Sequence, residues 1–170
     1  MGFSSQTAMM SVRRKTADDQ DWIRALLTDH WGGTMVVSHG QRFEADTLPA
    51  LVAGDREGLA TYRIADDGRD AELVTLDAAV PGHGAGTALI AALVRLLRER
   101  GIPILRLTTT NDNLTALRFY QRRGFRIVAV HPGAMVAARR LKPAIPELGE
   151  HGITIRDEIE LELALSEGGE

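Results

Sequence analysis

Leu76-Asp77-Ala78-Ala79-Val80-Pro81-Gly82-His83-Gly84-Ala85-Gly86-Thr87-Ala88-Leu89 is the stretch that decides how this chain reads. An apolar strand runs into a glycine-rich loop and straight on into an amphipathic helix. Gly82, Gly84 and Gly86 remove the side chains that hold a ligand off the backbone, and the bared amides sit at a helix N-terminus, where anions bind. The stretch reads as a phosphate cradle, although a ligand-free strand-to-helix turn would show the same spacing. It is not a dinucleotide fingerprint, because Thr87 and Leu89 stand where the third glycine belongs, and no Gly-Lys-Ser/Thr follows to make a P-loop.

Outward from the loop, the hydrophobic period alternates between strand-like and helix-like, without an internal repeat. Leu89, Ala92, Leu93, Leu96 and Leu97 share one helical face, Arg95, Arg98 and Glu99 face away, and Gly101 is the stop. Pro103 to Thr109 reads as a strand parallel to the one before the loop, since a crossover helix separates the two. Asn113 caps a short helix closed by Arg122-Arg123-Gly124, and Phe125 to Val130 is a further strand. Beyond His131-Pro132-Gly133, Ala134 to Leu141 reads as a helix, Pro143 and Pro146 as a rigid connector, and Ile153 to Leu163 as a last strand. Upstream, Leu48 to Ala53, Gly58 to Ala65 and Asp70 to Ala78 form an antiparallel meander with a tight turn at Asp66-Asp67-Gly68-Arg69. Ser11 to Thr16 reads as a first strand, and Asp18, Asp19 and Asp21 open a helix through Trp22, Leu26 and Leu27 that ends at Gly32-Gly33. Thr34 to Asp46 is ambiguous.

At 170 residues, 44% hydrophobic and 25% charged, the chain has room for one domain with a real core. A net charge of −3 offers no general field for nucleic acid or an anionic membrane, so a phosphate-bearing ligand has to be held locally. There is no cysteine, which excludes disulfides, thiolate zinc sites and a cysteine nucleophile and fits a reducing cytoplasm. No run approaches the length that spans a bilayer, and residues 1–10 read as a loose leader.

The loop Gly82-His83-Gly84-Ala85-Gly86 is followed downstream by Asn113-Leu114-Thr115-Ala116-Leu117-Arg118-Phe119-Tyr120, with Gly124-Phe125 at the helix end. Together these motifs resemble the GNAT family of N-acetyltransferases, over about Leu59 to Val130. The resemblance implies an α/β (α+β) fold with a mixed, centrally splayed sheet flanked by helices. It also implies acetyl-CoA as cosubstrate and transfer of the acetyl group to a primary amine on a small molecule or peptide. A single acetyltransferase-like domain then spans residues 11–165, with its motifs in 70–130 and an embellished substrate side in 131–165. A non-catalytic acyl-CoA binding or sensing module on the same scaffold is the alternative. The acceptor and a homodimer are left open by the sequence. The family's loop usually opens with Gln or Arg where this chain has Pro81, so the amides of Gly82, His83, Gly84, Ala85, Gly86 and Thr87, with the His83 side chain and Thr87 hydroxyl, are left to hold the pyrophosphate.

The resemblance further implies that Tyr120 lies near the coenzyme A sulfur, where a phenol keeps its proton at neutral pH and donates it to the departing thiolate. It implies that the Leu76 amide meets the thioester carbonyl, and that Asn113, a helix cap in any case, also bonds the coenzyme A arm. For the general base, strand alternation puts Glu72 on the face carrying Val74 and Leu76, where a carboxylate is partly desolvated; Asp70 is the alternate. In the last strand Asp157 interrupts an apolar row, and is either paired with Arg139 or Arg140 or available to a cationic substrate. The opposite parity, with Glu158, Glu160 and Glu162, reads as a solvated face. His131 and His151 lack further ligands at metal-binding spacing, so no metal site is expected.

Overall fold

The computed structural model describes residues 9–166. The leader lies outside them except for Met9 and Met10, and Met10 packs against the core. In chain order the elements are β1 (Val12–Arg14), α1 (Gln20–Trp31), β2 (Met35–Ser38), β3 (Gln41–Glu44), β4 (Ala50–Ala53), β5 (Gly58–Ile64), β6 (Ala71–Ala78) and α2 (Ala85–Glu99). They continue with β7 (Ile104–Thr110), α3 (Leu114–Gln121), β8 (Arg126–His131), α4 (Ala134–Leu141) and β9 (Glu158–Ala164). Seven strands make one sheet in the order β1-β4-β5-β6-β7-β9-β8, parallel at β6 and β7 and antiparallel elsewhere. This is the mixed sheet expected. No helix among the described residues is long and apolar enough to cross a membrane.

Two cores cover the sheet. On one side Leu89, Leu93 and Leu97 of α2 meet Leu51, Leu73 and Leu105; on the other Ile23 and Leu27 of α1 meet Val52 and Leu59. The side chains of Leu89, Leu93 and Leu97 are fully buried, and each such leucine contributes about 2 kcal/mol by leaving water. The ambiguous segment after α1 folds as the β2–β3 hairpin, a separate two-stranded sheet.

Two local features open the sheet at its centre. Thr61 pairs with Thr75 and Tyr62 with Leu73, which leaves Val74 without a partner in the β5–β6 ladder and makes a bulge. The alternation read from the sequence places Glu72, Val74 and Leu76 on one face; the extra residue instead sends Leu76 into the α2 core while Val74 stays on the α1 side. β6 and β7 pair only at Ala71 with Leu105 and Glu72 with Arg106, so the rest of that edge of β6 fronts a cleft.

The last strand departs from expectation. β9 starts at Glu158, not Ile153, and lies between β7 and β8, so its polar row is not solvated. Glu158 is buried, Glu160 and Glu162 meet Arg106 at 3.7 and 3.3 Å, and His131 meets Glu160 at 3.2 Å. Alternation marks a polar face, but only strand order says what covers it. Asp157 pairs with neither arginine: it accepts from the Gly133 amide at 2.9 Å, at the start of α4. Arg139 donates instead to the carbonyls of Pro146 and Ile155, at 2.8 and 2.7 Å.

Candidate active site

The glycine loop forms one wall of a cleft of about 550 Å³, and Tyr120 and Asn113 line the facing side. Gly84 is the residue before α2 and has φ 80°, a left-handed conformation that favours glycine. Gly86 serves packing: a Cβ there would meet Phe119 Cζ at 3.2 Å. The first turn of α2 carries no acid, so no side chain offsets the positive end of its dipole. Leu76, Gly82, Gly84, Ala85, Gly86, Thr87, Asn113 and Tyr120 all line this cleft. His83 does not; its exposed ring lies 3.4 Å from Glu57.

Arg123 was not singled out by the sequence beyond closing α3. Its guanidinium donates to the Thr87 hydroxyl at 2.6 Å and to the Phe119 carbonyl at 2.9 Å, and lies 3.5 Å over the Phe119 ring. With Arg118 and Arg122 it lines a recess that continues from the cleft through Thr87, Thr115 and Phe119. These arginines put positive charge beside the loop that Pro81 leaves without a basic side chain. The spacing of Arg118, Arg122 and Arg123 at i, i+4 and i+5 is the signal that could have found them.

Tyr120 is buried, packed edge-on between Phe119 and Phe125 at 5.2 and 5.3 Å. Burial first, and then the Asp77 carboxylate nearby, push its phenol pKa well above the ordinary value, so the hydroxyl holds its proton at neutral pH. Burial likewise raises the Asp77 carboxyl, against hydrogen bonds from His30 at 2.9 Å and from the Trp31 indole at 2.9 Å. Asp77 thereby fixes the end of α1. The Asn113 side chain accepts from the Ala116 amide at 3.1 Å and caps α3, as expected.

Glu72 lies apart from the cleft. Its carboxylate is buried, accepts from the Ser38 hydroxyl at 2.8 Å and lies 3.5 Å from Arg63 Nε. Asp70 is farther out, 3.6 Å from Arg106. Ser38 connects Glu72 to a second cavity of about 130 Å³ on the α1 side of the splay, between Val74 of β6 and Thr108, Thr109 and Thr110 of β7. Asn113 lines both cavities. Trp31 and Met135 wall the second one, and Lys142, just after α4, donates to the carbonyls of Trp31 and Met35, at 2.6 and 2.7 Å.

After β8, Met135 and Ala138 of α4 cluster with Ile155, Val37 and Ile145. Asp112 accepts from the Glu150 amide at 3.0 Å, and Glu150 lines the first cleft. The hairpin brings His39 to His131 and Glu160, so that one donor atom from each lies within 4.8 Å of the others. These are the side chains that could hold a metal ion, and acyl transfer does not call on one.

Glycine loop, splayed strands, capping asparagine and buried tyrosine together define an acyl-CoA-dependent transferase. The profile described as the Acetyltransferase (GNAT) family matches residues 15–125, and this chain belongs to that family. It is an N-acetyltransferase with acetyl-CoA as cosubstrate. The uncharacterized Bacillus subtilis (strain 168) protein YdhI is 42% identical over 142 residues, covering 79% of this chain and 88% of that protein. The fold is similar to that of an IAA acetyltransferase from Bacillus cereus ATCC 14579, with TM-score 0.69 and 22% identity over 91% of this chain and 99% of that one. It is also similar to a GNAT family acetyltransferase from Elizabethkingia anophelis with acetyl-CoA bound, with TM-score 0.62 and 19% identity over 91% and 97% of the two chains.

Proposed function

We propose that this chain transfers the acetyl group of acetyl-CoA to a primary amine by direct attack in a ternary complex. The observation that carries the reading is that Asn113 lines two cavities, one holding the glycine loop and Tyr120, the other reaching Glu72 through Ser38. Acetyl-CoA supplies an acyl carbon with a thiolate leaving group. The bare first turn of α2 and Arg123 suit its phosphates, and the cleft's volume of about 550 Å³ suits its arm.

Each residue then has one task. Glu72 takes the amine proton through the Ser38 hydroxyl, which donates its own proton to Glu72 as it accepts one from nitrogen. The Leu76 amide, on the stretch of β6 that has parted from β7, meets the carbonyl oxygen as negative charge develops there. Tyr120 gives its proton to sulfur as the carbon–sulfur bond breaks. The products are an N-acetyl amine and free coenzyme A thiol.

Calorimetry with acetyl-CoA, followed by thiol release across a panel of amines, tests the reading. Binding with turnover on at least one amine is expected. Binding with no turnover on any amine would favour a non-catalytic acyl-CoA module.

A further inference from the structure

We infer that the second cavity is the acceptor's subsite and that it selects a small primary amine with an apolar body, the ammonium being held by Glu158. The inference rests on the acetyltransferase reading above.

Glu158 opens β9, opposite Thr110 on one neighbouring strand and His131 on the other, and is 6% exposed. The other buried carboxylates among the described residues all have partners. Asp19 has Arg13 at 2.7 Å, Asp46 has Arg24 at 3.0 Å, Glu72 has Ser38 at 2.8 Å, Asp77 has Trp31 at 2.9 Å, and Asp112 accepts from the Glu150 amide at 3.0 Å. Glu158 alone has neither a hydrogen bond nor an ion pair to its carboxylate among the described residues, and its remaining exposure faces the second cavity, which it lines. No Lys, Arg or His lines that cavity.

A carboxylate with little exposure and no protein partner is costly to hold, and this one keeps its remaining contact with water in the lining of a pocket. A cationic ligand relieves that cost, and a neutral or anionic one does not. The remaining walls include Trp31, Val36, Val74 and Met135, which favour hydrocarbon over a second charge. The volume of about 130 Å³ is close to the ~150 Å³ of a cavity that takes up benzene, so the body is limited to a single ring or a short alkyl chain. Ser38 lines the same cavity, so an ammonium drawn in by Glu158 arrives beside the hydroxyl that leads to Glu72.

Benzylamine and its neutral counterpart benzyl alcohol are the probes. Each is titrated calorimetrically into the CoA-loaded protein, wild type and Glu158→Gln, with acetyl-CoA titrated separately into both proteins. Wild type is expected to bind benzylamine at least about tenfold more tightly than benzyl alcohol, the size of one charge-assisted hydrogen bond. Glu158→Gln is expected to lose that preference while acetyl-CoA affinity stays unchanged. Its Tm is expected to equal or exceed that of wild type, because a poorly solvated charge with no protein partner has been removed. Val74→Phe, which fills the cavity, is expected to abolish benzylamine binding while acetyl-CoA affinity, read in the separate cleft, stays unchanged. Equal affinities for the two probes in wild type, or an unchanged benzylamine affinity in both variants, would overturn the inference. Failure to bind acetyl-CoA would sink the acetyltransferase reading itself, and the inference with it.

Discussion

The Arg123 guanidinium donates to the Thr87 hydroxyl at 2.6 Å while stacking 3.5 Å above the Phe119 ring, and so joins the end of α3 to the first turn of α2. A fixed cation therefore stands beside the first turn of α2, and it is held by geometry that a flexible ammonium does not reproduce. Arg123→Ala is expected to weaken acetyl-CoA binding about tenfold, and Arg123→Lys to recover only part of that. Calorimetry at low and high salt reads the effect, which should be larger at low salt. Unchanged affinity in both variants would leave Arg123 a helix tie only.

Tyr120 sits between Phe119 and Phe125, so removing its hydroxyl leaves the aromatic packing in place. Tyr120→Phe is expected to lower kcat about a hundredfold, the scale of a lost general acid, with little change in KM for acetyl-CoA or in Tm. A Phe variant with undiminished thiol release would remove the acid from the mechanism.

What was legible in the sequence was local. The strand-to-helix turn at the glycine loop, the apolar face of α2, the Asn113 cap and the turn at Gly124 each depend on residues within a few positions of one another, and as local structure they stand as read. Two features were not legible, for the same physical reason. The bulge at Val74 adds one residue to a ladder whose partner lies on β5, and no local residue type announces it. The slot of β9 between β7 and β8 is a matter of strand order, so the Glu160 and Glu162 that look solvated by alternation face Arg106. Arg123 and Glu158 were missed likewise, because their meaning comes from Thr87 and from Val74, which lie far away in sequence.

Stability toward acid should depend on Asp19. Its side chain is 1% exposed and accepts from Arg13 at 2.7 Å, from Arg56 at 3.1 Å and from the Thr16 amide at 2.8 Å. The Arg13 hydrogen bonds foremost, opposed by burial, hold its carboxyl well below the ordinary carboxylate range. With the folded-state pKa depressed, the unfolded chain binds more protons, so this contribution is complete above the unfolded value of ~3.9 and fades as pH falls beneath it. Asp19→Asn is expected to cost about 3 kcal/mol near pH 7, and less as pH approaches 3. Denaturant titrations of both proteins across that range check it; a pH-independent difference would contradict the linkage.

Glu72 does not line the cleft, and pH separates proton transfer from a structural role for it. Glu72 also faces Arg63 at 3.5 Å, so a loss of activity in Glu72→Gln alone does not tell proton transfer from structure. If Glu72 removes the amine proton through Ser38, its absence matters only while the amine is protonated. The variant should then lose about a hundredfold in kcat near pH 7.5 and recover as pH approaches the amine's own value of ~10. Ser38→Ala should show the same recovery from a smaller deficit, because a water molecule can take the place of the hydroxyl. A deficit that stays constant from pH 7 to 10 in both variants, at unchanged Tm, would assign Glu72 to Arg63 and leave the proton to a different group.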